Sequence, residues 1–92
     1  KTIFGMFQGE TQEVEFQADK CLLDVIFDVF GDNIALEPLN DNMVTFKAEV
    51  QVSPTFLGWC CSFGDKLKVL SPENVVDNIK TYLETIKKIY EK

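Results

Sequence analysis

The sequence predicts an α+β domain with a four-stranded antiparallel sheet, helices on one face of that sheet and an additional helix at the C-terminus. The first observation behind this prediction is the order of the apolar patterns, which have strand periodicity in some segments and helix periodicity in others. The second is an internal repeat, because the run from Phe30 to Pro38 resembles the run from Phe63 to Pro72. Two copies are too few for a solenoid, so we expect two strand–helix–strand halves related by a pseudo-two-fold axis.

The first half begins with a strand and continues with a helix. Residues 11–18 alternate between apolar and polar side chains, and the apolar ones are Val14, Phe16 and Ala18. Asp19 is a suitable N-cap, because its carboxylate can accept hydrogen bonds from the first helical turn. The helix then carries apolar residues at Leu22, Leu23, Ile26, Phe27 and Phe30. Gly31 is predicted to end this helix, and a short strand with Ile34 and Leu36 is predicted to lead to Pro38.

The second half repeats this order after a turn at residues 40–42, which read Asn-Asp-Asn. Its first strand is the clearest in the chain, with apolar residues at Val44, Phe46, Ala48, Val50 and Val52. Ser53 and Pro54 predict the next helix start, as an N-cap hydroxyl and a proline at the first helical position. The apolar stripe of that helix is Phe56, Trp59, Cys60 and Phe63. Gly58, which lacks a side chain, suggests a close approach of this helix to the sheet.

Gly64 is predicted to end the second helix, and a fourth strand follows in which Leu67 and Val69 alternate with Lys66 and Lys68. Ser71 and Pro72 predict the start of the terminal helix. An apolar stripe then runs to the end of the chain through Val75, Val76, Ile79, Tyr82, Leu83, Ile86, Ile89 and Tyr90. With right-handed crossovers, this order of elements gives the ferredoxin-like βαββαβ fold.

Five residues are expected to be structurally demanding. Gly31 and Gly64 follow helices at positions where a positive φ favours glycine. The other three are the helix-stripe aromatics Trp59 and Phe63, and Pro72 before the last helix.

The charge balance argues against nucleic acid as a direct partner. The net charge is −6, and all nine basic residues are lysine. Phosphate contacts depend on clustered Lys and Arg, and base recognition depends strongly on Arg. The chain also has no histidine, which is the commonest general base and the commonest metal ligand. We therefore predict no enzymatic activity, no catalytic residues, no metal site and no cofactor.

The three cysteines, Cys21, Cys60 and Cys61, lie in apolar helical runs. An odd number with two adjacent members is not typical of a disulfide framework. Buried reduced thiols predict a reducing, cytoplasmic location. No run approaches the ~20 apolar residues that a membrane-spanning helix needs, so no membrane association is expected.

Residues 1–10 are interpreted as a connecting arm, and residues 11–92 as the domain itself. The arm carries Ile3, Phe4, Met6 and Phe7 before Gly9. Because Lys1 is not a start methionine, we expect the arm to come from an upstream domain. Its apolar residues either contact that domain or lie as a short strand or lid on this domain's own core.

One face of the predicted sheet is expected to be open. Its candidate contact residues are Glu13, Glu15, Thr45, Lys47 and Glu49, with Gln17, Gln51, Lys66 and Lys68 on the same face. Glu and Lys side by side can be simple cross-strand pairs, or they can form a docking surface for another domain. RNA recognition by this topology would need aromatic residues on that face. Phe16 and Phe46 instead alternate in step with the buried apolar residues of their strands, so they are not expected on the open face.

The run from Phe56 to Glu73, followed by an apolar helix that ends near Tyr90, resembles the C-terminal extension of WYL-domain transcriptional regulators. The shared features are a helix with a tryptophan, the Phe63-Gly64 pair and the strand that leads to Pro72. The resemblance extends over roughly residues 4–90, with Phe4-Gly5 similar to the link that leaves the WYL domain. It implies an intracellular bacterial regulator with a winged helix-turn-helix, a WYL sensor domain and homodimeric assembly.

The resemblance predicts a non-catalytic domain that acts in interdomain docking, dimer assembly and effector-linked control of DNA binding. Its expected partners are the WYL and helix-turn-helix domains of the same regulator, with no direct DNA contact by this fragment. Neither of those domains lies within these 92 residues, so no DNA or effector contact is assigned here. The alternative is a small-molecule-binding regulatory domain of the same fold attached to a metabolic enzyme.

Overall fold

The computed structural model describes residues 11–91. These residues form a four-stranded sheet in the order β2-β3-β1-β4, with every neighbouring pair antiparallel. The strands are β1 (Thr11–Asp19), β2 (Glu37–Pro38), β3 (Met43–Gln51) and β4 (Leu67–Ser71). The helices are α1 (Leu23–Phe30), α2 (Pro54–Cys61) and α3 (Glu73–Ile89). This is the predicted α+β arrangement, in which β1 and β3 are central and α3 follows the last strand.

The internal repeat corresponds to equivalent places in the two halves. Gly31 follows α1 and Gly64 follows α2, and both adopt a positive φ, of 91° and 62° respectively. Each copy of the repeat then ends at an outer strand of the sheet, the first at β2 and the second at β4. The repeat in sequence therefore reflects the symmetry of the fold.

The core lies between one face of the sheet and the helices. Its centre is Phe16 on β1, which is fully buried. The Phe16 ring stacks on Phe46 with centroids 4.8 Å apart and contacts Phe30 and Phe56 at 5.7 and 6.1 Å. Phe46 is 3% exposed, so both strand aromatics lie on the helix-covered face, as predicted.

The helix starts follow local capping chemistry. The Asp19 carboxylate accepts a 2.8 Å hydrogen bond from the Cys21 amide, and this bond lowers the pKa of Asp19. It caps a 3-10 turn, Lys20–Leu22, that leads into α1. The Ser53 hydroxyl accepts from the Phe56 amide at 3.2 Å, with Pro54 in the first turn of α2. Both predicted N-caps are confirmed.

Two strand predictions need correction. The second strand contains only Glu37 and Pro38, and Ile34 and Leu36 pack partly buried against the core from the preceding loop. Lys66 does not belong to the fourth strand, because it lies in the 3-10 turn Gly64–Lys66 and only Lys68 is in β4.

Two helix boundaries also differ from the prediction. Helix α2 ends at Cys61 with Ser62 as its C-cap, so Gly64 lies in the turn beyond the helix and not at its cap. Ser71 is the last residue of β4, and Pro72 occupies the N-cap of α3 without a side-chain cap. In place of a cap, the Asn74 side chain in the first turn of α3 donates a 3.0 Å hydrogen bond to the Gln12 side chain on β1.

Gly58 permits a close approach, but to a helix and not to the sheet. A Cβ added at Gly58 would lie 2.9 Å from the Tyr82 hydroxyl oxygen on α3. The absent side chain therefore sets the spacing of α2 and α3.

Candidate functional site

The predicted contact residues lie on the sheet face that the helices leave open. We call this surface the acidic face, and it consists of Glu13, Glu15, Glu37, Thr45, Lys47, Glu49 and Lys68. The strands β1 and β3 bring five of these residues together, because Glu13 lies opposite Glu49 and Glu15 opposite Lys47. Thr45 also faces Glu37 on β2, and Lys68 faces Gln17. The side chains are exposed or half-buried.

The charges on the acidic face are not balanced. Four carboxylates share the surface with two lysines, and Glu13 and Glu49 are direct cross-strand neighbours of like charge. Like charges in directly opposite positions destabilise a sheet. Glu15 and Lys47 are opposite in register, yet no ion pair of 4 Å or less joins them. Within residues 11–91 an ion pair of 3.9 Å instead joins Lys87 on α3 to Glu91 just beyond the helix. A closed set of cross-strand ion pairs therefore does not account for this surface.

A shallow depression of about 260 Å³ lies within the acidic face. Glu15, Thr45 and Lys47 line it, together with Ala35 and Glu37. Sequence reasoning missed Ala35 and Glu37, although Glu37 stands one position before the proline that marks the strand. Glu37 lies on β2 opposite Thr45, and Ala35 lies in the loop just before this strand.

The other predicted residues have different places. Trp59 and Phe63 lie outside the acidic face. The Trp59 ring makes edge contacts with the rings of Phe63, at 5.1 Å, and Phe30, at 5.7 Å. Both are partly buried against the core, which is a structural role. Ile3, Phe4 and Phe7 lie outside the described residues.

A second surface lies at the far end of α3. The apolar stripe of this helix begins buried at Val75 and becomes progressively uncovered. Four of its residues are exposed, namely Leu83 (50%), Ile86 (37%), Ile89 (72%) and Tyr90 (79%). We call these four residues the α3 tip. Sequence periodicity identified the stripe but not which part of it the rest of the domain covers.

A groove of about 530 Å³ runs between α2, β4 and α3 and reaches the α3 tip at Leu83. Its apolar lining includes Cys60, Leu67, Val69 and Ile79. Lys68 and Lys80 also line it. The groove is in the size range of small-ligand pockets, about 300–1,000 Å³.

The thiols are poorly suited to nucleophilic chemistry at neutral pH. Burial raises the pKa of Cys60 to about 12, with a further contribution from Cys61. Burial also raises the pKa of Cys61, and the hydrogen bond with Asp19 raises the pKa of the exposed Cys21. The thiolate is the reactive form of cysteine, so each shift reduces reactivity.

No group of three Cys, Asp or Glu side chains within residues 11–91 is placed to hold a metal ion. In the same part of the chain, no helix has both the length and the apolar character needed to cross a membrane.

The comparisons with known proteins give no family assignment. No protein-family model matches the chain, and no curated protein matches it.

Proposed function

We propose that this domain is a non-catalytic docking and assembly module of a bacterial WYL-type transcriptional regulator. The observation that carries the docking role is the acidic face, where Glu13 and Glu49 are opposed without a compensating ion pair between the strands in the described residues. A partner surface with basic groups would relieve this repulsion on binding. The assignment to a WYL regulator depends on the sequence resemblance.

In this proposal the acidic face docks onto the sensor domain of the same regulator. Effector binding to the sensor changes the docked contacts and thereby shifts a dimer between two states. Such a shift requires that the contacts differ in free energy between the states. The module itself makes no DNA contact, in keeping with its net charge of −6, and acts in the cytoplasm.

The first test is the coding sequence upstream of Lys1, which should encode a helix-turn-helix and a WYL segment. The second is an NMR titration of the isotope-labelled 92-residue chain with the separately expressed sensor domain. We expect shift changes at the acidic face. Glu13→Lys and Glu49→Lys should each weaken binding about tenfold or more, since charge reversal turns attraction into repulsion.

Asp28→Lys is the matched control, because it makes the same charge change on the exposed side of α1. It should leave the affinity for the sensor domain unchanged. A catalytic domain encoded upstream, or equal effects of Asp28→Lys and Glu49→Lys, would contradict the proposal.

The groove favours a second candidate function, a small-molecule regulatory domain. Its apolar lining and Lys80 would suit an apolar ligand with an anionic group. A thermal-shift screen of such carboxylates against the chain and against Lys80→Gln tests this alternative. Stabilisation that Lys80→Gln abolishes would favour it over docking.

A further inference from the structure

The connecting arm, residues 1–10, joins the domain at the end of the sheet where α2 begins. Thr11 opens β1 and lies opposite Gln51, the last residue of β3. Ser53, the N-cap of α2, follows two residues after Gln51. The arm therefore starts beside both the sheet and the first turn of this helix.

The side chains of the arm suit the helix-covered face of the sheet and not the open one. Phe4 and Phe7 carry its two aromatic rings. The nearby part of the acidic face carries Glu13 and Glu49, which offer these rings no apolar contact. Burial of an aromatic ring against apolar side chains is strongly favourable. The arm is therefore expected on the face that the helices cover.

One side of α2 is occupied by α3. A Cβ added at Gly58 would lie 2.9 Å from the Tyr82 hydroxyl oxygen, so α2 and α3 are in close contact there. At the start of α3 the Asn74 side chain donates a 3.0 Å hydrogen bond to Gln12 on β1, one residue after Thr11. These contacts hold α3 against α2 and β1, which leaves the side of α2 toward α1 for the arm.

On that side, α1 stops short of the end of the sheet. Helix α1 ends at Phe30, whose ring lies 5.6 Å from Phe46 on β3 and 5.7 Å from Trp59 on α2. Strand β3 continues past Phe46 toward the arm. Its Ala48, on the helix-covered side, is half-buried, and so is Val52 just beyond the strand. We call the apolar strip of Ala48, Val52 and Trp59 the Trp59 surface.

The Trp59 surface lies within reach of the arm. An extended chain spans about 3.3 Å per residue, so Phe7 can lie up to about 13 Å from Thr11 and Phe4 up to about 23 Å. Ala48 is three residues along β3 from the partner of Thr11, which places it roughly 11 Å away. Trp59 is six residues after the N-cap of α2, or about 9 Å along the helix axis. Both targets therefore fall within the spans of the two phenylalanines.

We propose that the arm folds back onto its own domain and covers the Trp59 surface. Phe7 packs over Ala48 and Val52. Phe4 packs against the Trp59 ring, at the centroid distance of about 4.5–7 Å that is typical of aromatic pairs. The inference goes beyond the docking role proposed above, because it fixes the place at which a preceding domain is held. It does not involve the acidic face.

Nuclear Overhauser spectra of the 92-residue chain test this placement directly. Trp59 is the only tryptophan in the chain, so the signals of its indole protons are unambiguous. We expect cross-peaks between the Phe4 ring and the Trp59 indole, and between the Phe7 ring and the Val52 methyl groups. In a mixed sample of labelled and unlabelled chains, these cross-peaks should occur only within one copy.

A double substitution in the full chain gives an independent test. Phe4→Ser together with Phe7→Ser should shift the Trp59 fluorescence to longer wavelength and increase its quenching by acrylamide, because the indole becomes more exposed to water. The thermal unfolding midpoint should fall by roughly 5–15 °C. Leu39→Ser is the matched control, because Leu39 is a 53% exposed apolar residue at the opposite end of β3, beside Met43. It should leave the Trp59 fluorescence unchanged.

Cross-peaks from either phenylalanine to Val69 and Leu83 would place the arm in the groove and overturn the proposal. Cross-peaks between copies would also overturn it, since the occupant of the Trp59 surface would then be a second chain. So would the absence of cross-peaks between Phe4 and Trp59, or unchanged Trp59 fluorescence in the double variant. If the double variant does not fold, the spectra of the unsubstituted chain decide. Sensor-domain binding by the acidic face is judged separately, by its own titration.

Discussion

The contact between Gly58 and Tyr82 predicts that the effect of Gly58→Ala on stability depends on which residue stands at position 82. In the folded protein a Cβ at Gly58 would lie 2.9 Å from the Tyr82 hydroxyl oxygen and 3.8 Å from the ring carbon that bears it. The first distance requires Tyr82 to move, whereas the second is an ordinary contact. The hydroxyl is therefore the atom that excludes a side chain at position 58.

The expected magnitudes follow from two opposing effects of Gly58→Ala. Replacing glycine by alanine inside a helix stabilises it by roughly 1 kcal/mol. Forcing a packed side chain aside costs about 1–3 kcal/mol. We expect Gly58→Ala to destabilise the wild-type protein by up to about 2 kcal/mol. In a Tyr82→Phe background only the helix effect remains, so the same change should stabilise by up to about 1 kcal/mol.

Urea unfolding of the four proteins, followed by far-UV circular dichroism, gives the coupling free energy of this double-mutant cycle. We expect a coupling of about 1–3 kcal/mol between the two positions. Equal effects of Gly58→Ala in both backgrounds, within about 0.5 kcal/mol, would refute the assigned contact between α2 and α3.

Three further predictions concern the turns, the core and the thiols. Gly31→Ala should lower the free energy of unfolding by about 1–3 kcal/mol, because the φ of 91° at this position is strained for any residue with a Cβ. Gly64→Asn should cost less, because asparagine tolerates the φ of 62° found there. Equal chemical-denaturation midpoints for the two variants would contradict this prediction. Phe16→Ala should lower the free energy of unfolding by about 3–5 kcal/mol in the same measurement, because it leaves a cavity at the centre of the aromatic core. A decrease below about 1 kcal/mol would contradict this and show that the core collapses around the cavity. A thiol reagent at neutral pH should modify the exposed Cys21 first and Cys60 only on unfolding, because Cys60 is buried and its pKa of about 12 keeps it protonated. Mass spectrometry follows the order of modification, and simultaneous modification of both thiols would contradict the prediction.

The strand and helix positions were predictable because they depend on local chemistry. The two-residue alternation in β1 and β3 identified Phe16 and Phe46 as buried. The Asp19 and Ser53 caps depend on hydrogen bonds that span only two or three residues. The internal repeat indicated the symmetry of the fold, because both copies need a glycine with positive φ after the helix.

The candidate surfaces were only partly predictable. Alternation placed Glu13 and Glu49 on one face of the sheet, but the register that makes them direct neighbours is a property of strand pairing. Ala35 and Glu37 line the depression on that face because β2 pairs with β3, which places Glu37 opposite Thr45.

The sequence by itself determined the order of the strands and helices and which side of each is apolar, because these follow from short-range periodicity and capping, whereas the bounds of β2, β4 and α2 differ from the prediction. Only the tertiary structure decided that Gly58 faces Tyr82 on α3 and not the sheet, since that contact depends on how two separate elements pack. It also decided that the apolar stripe of α3 is buried at Val75 and uncovered at Ile89, because a helix can be longer than the core that covers it.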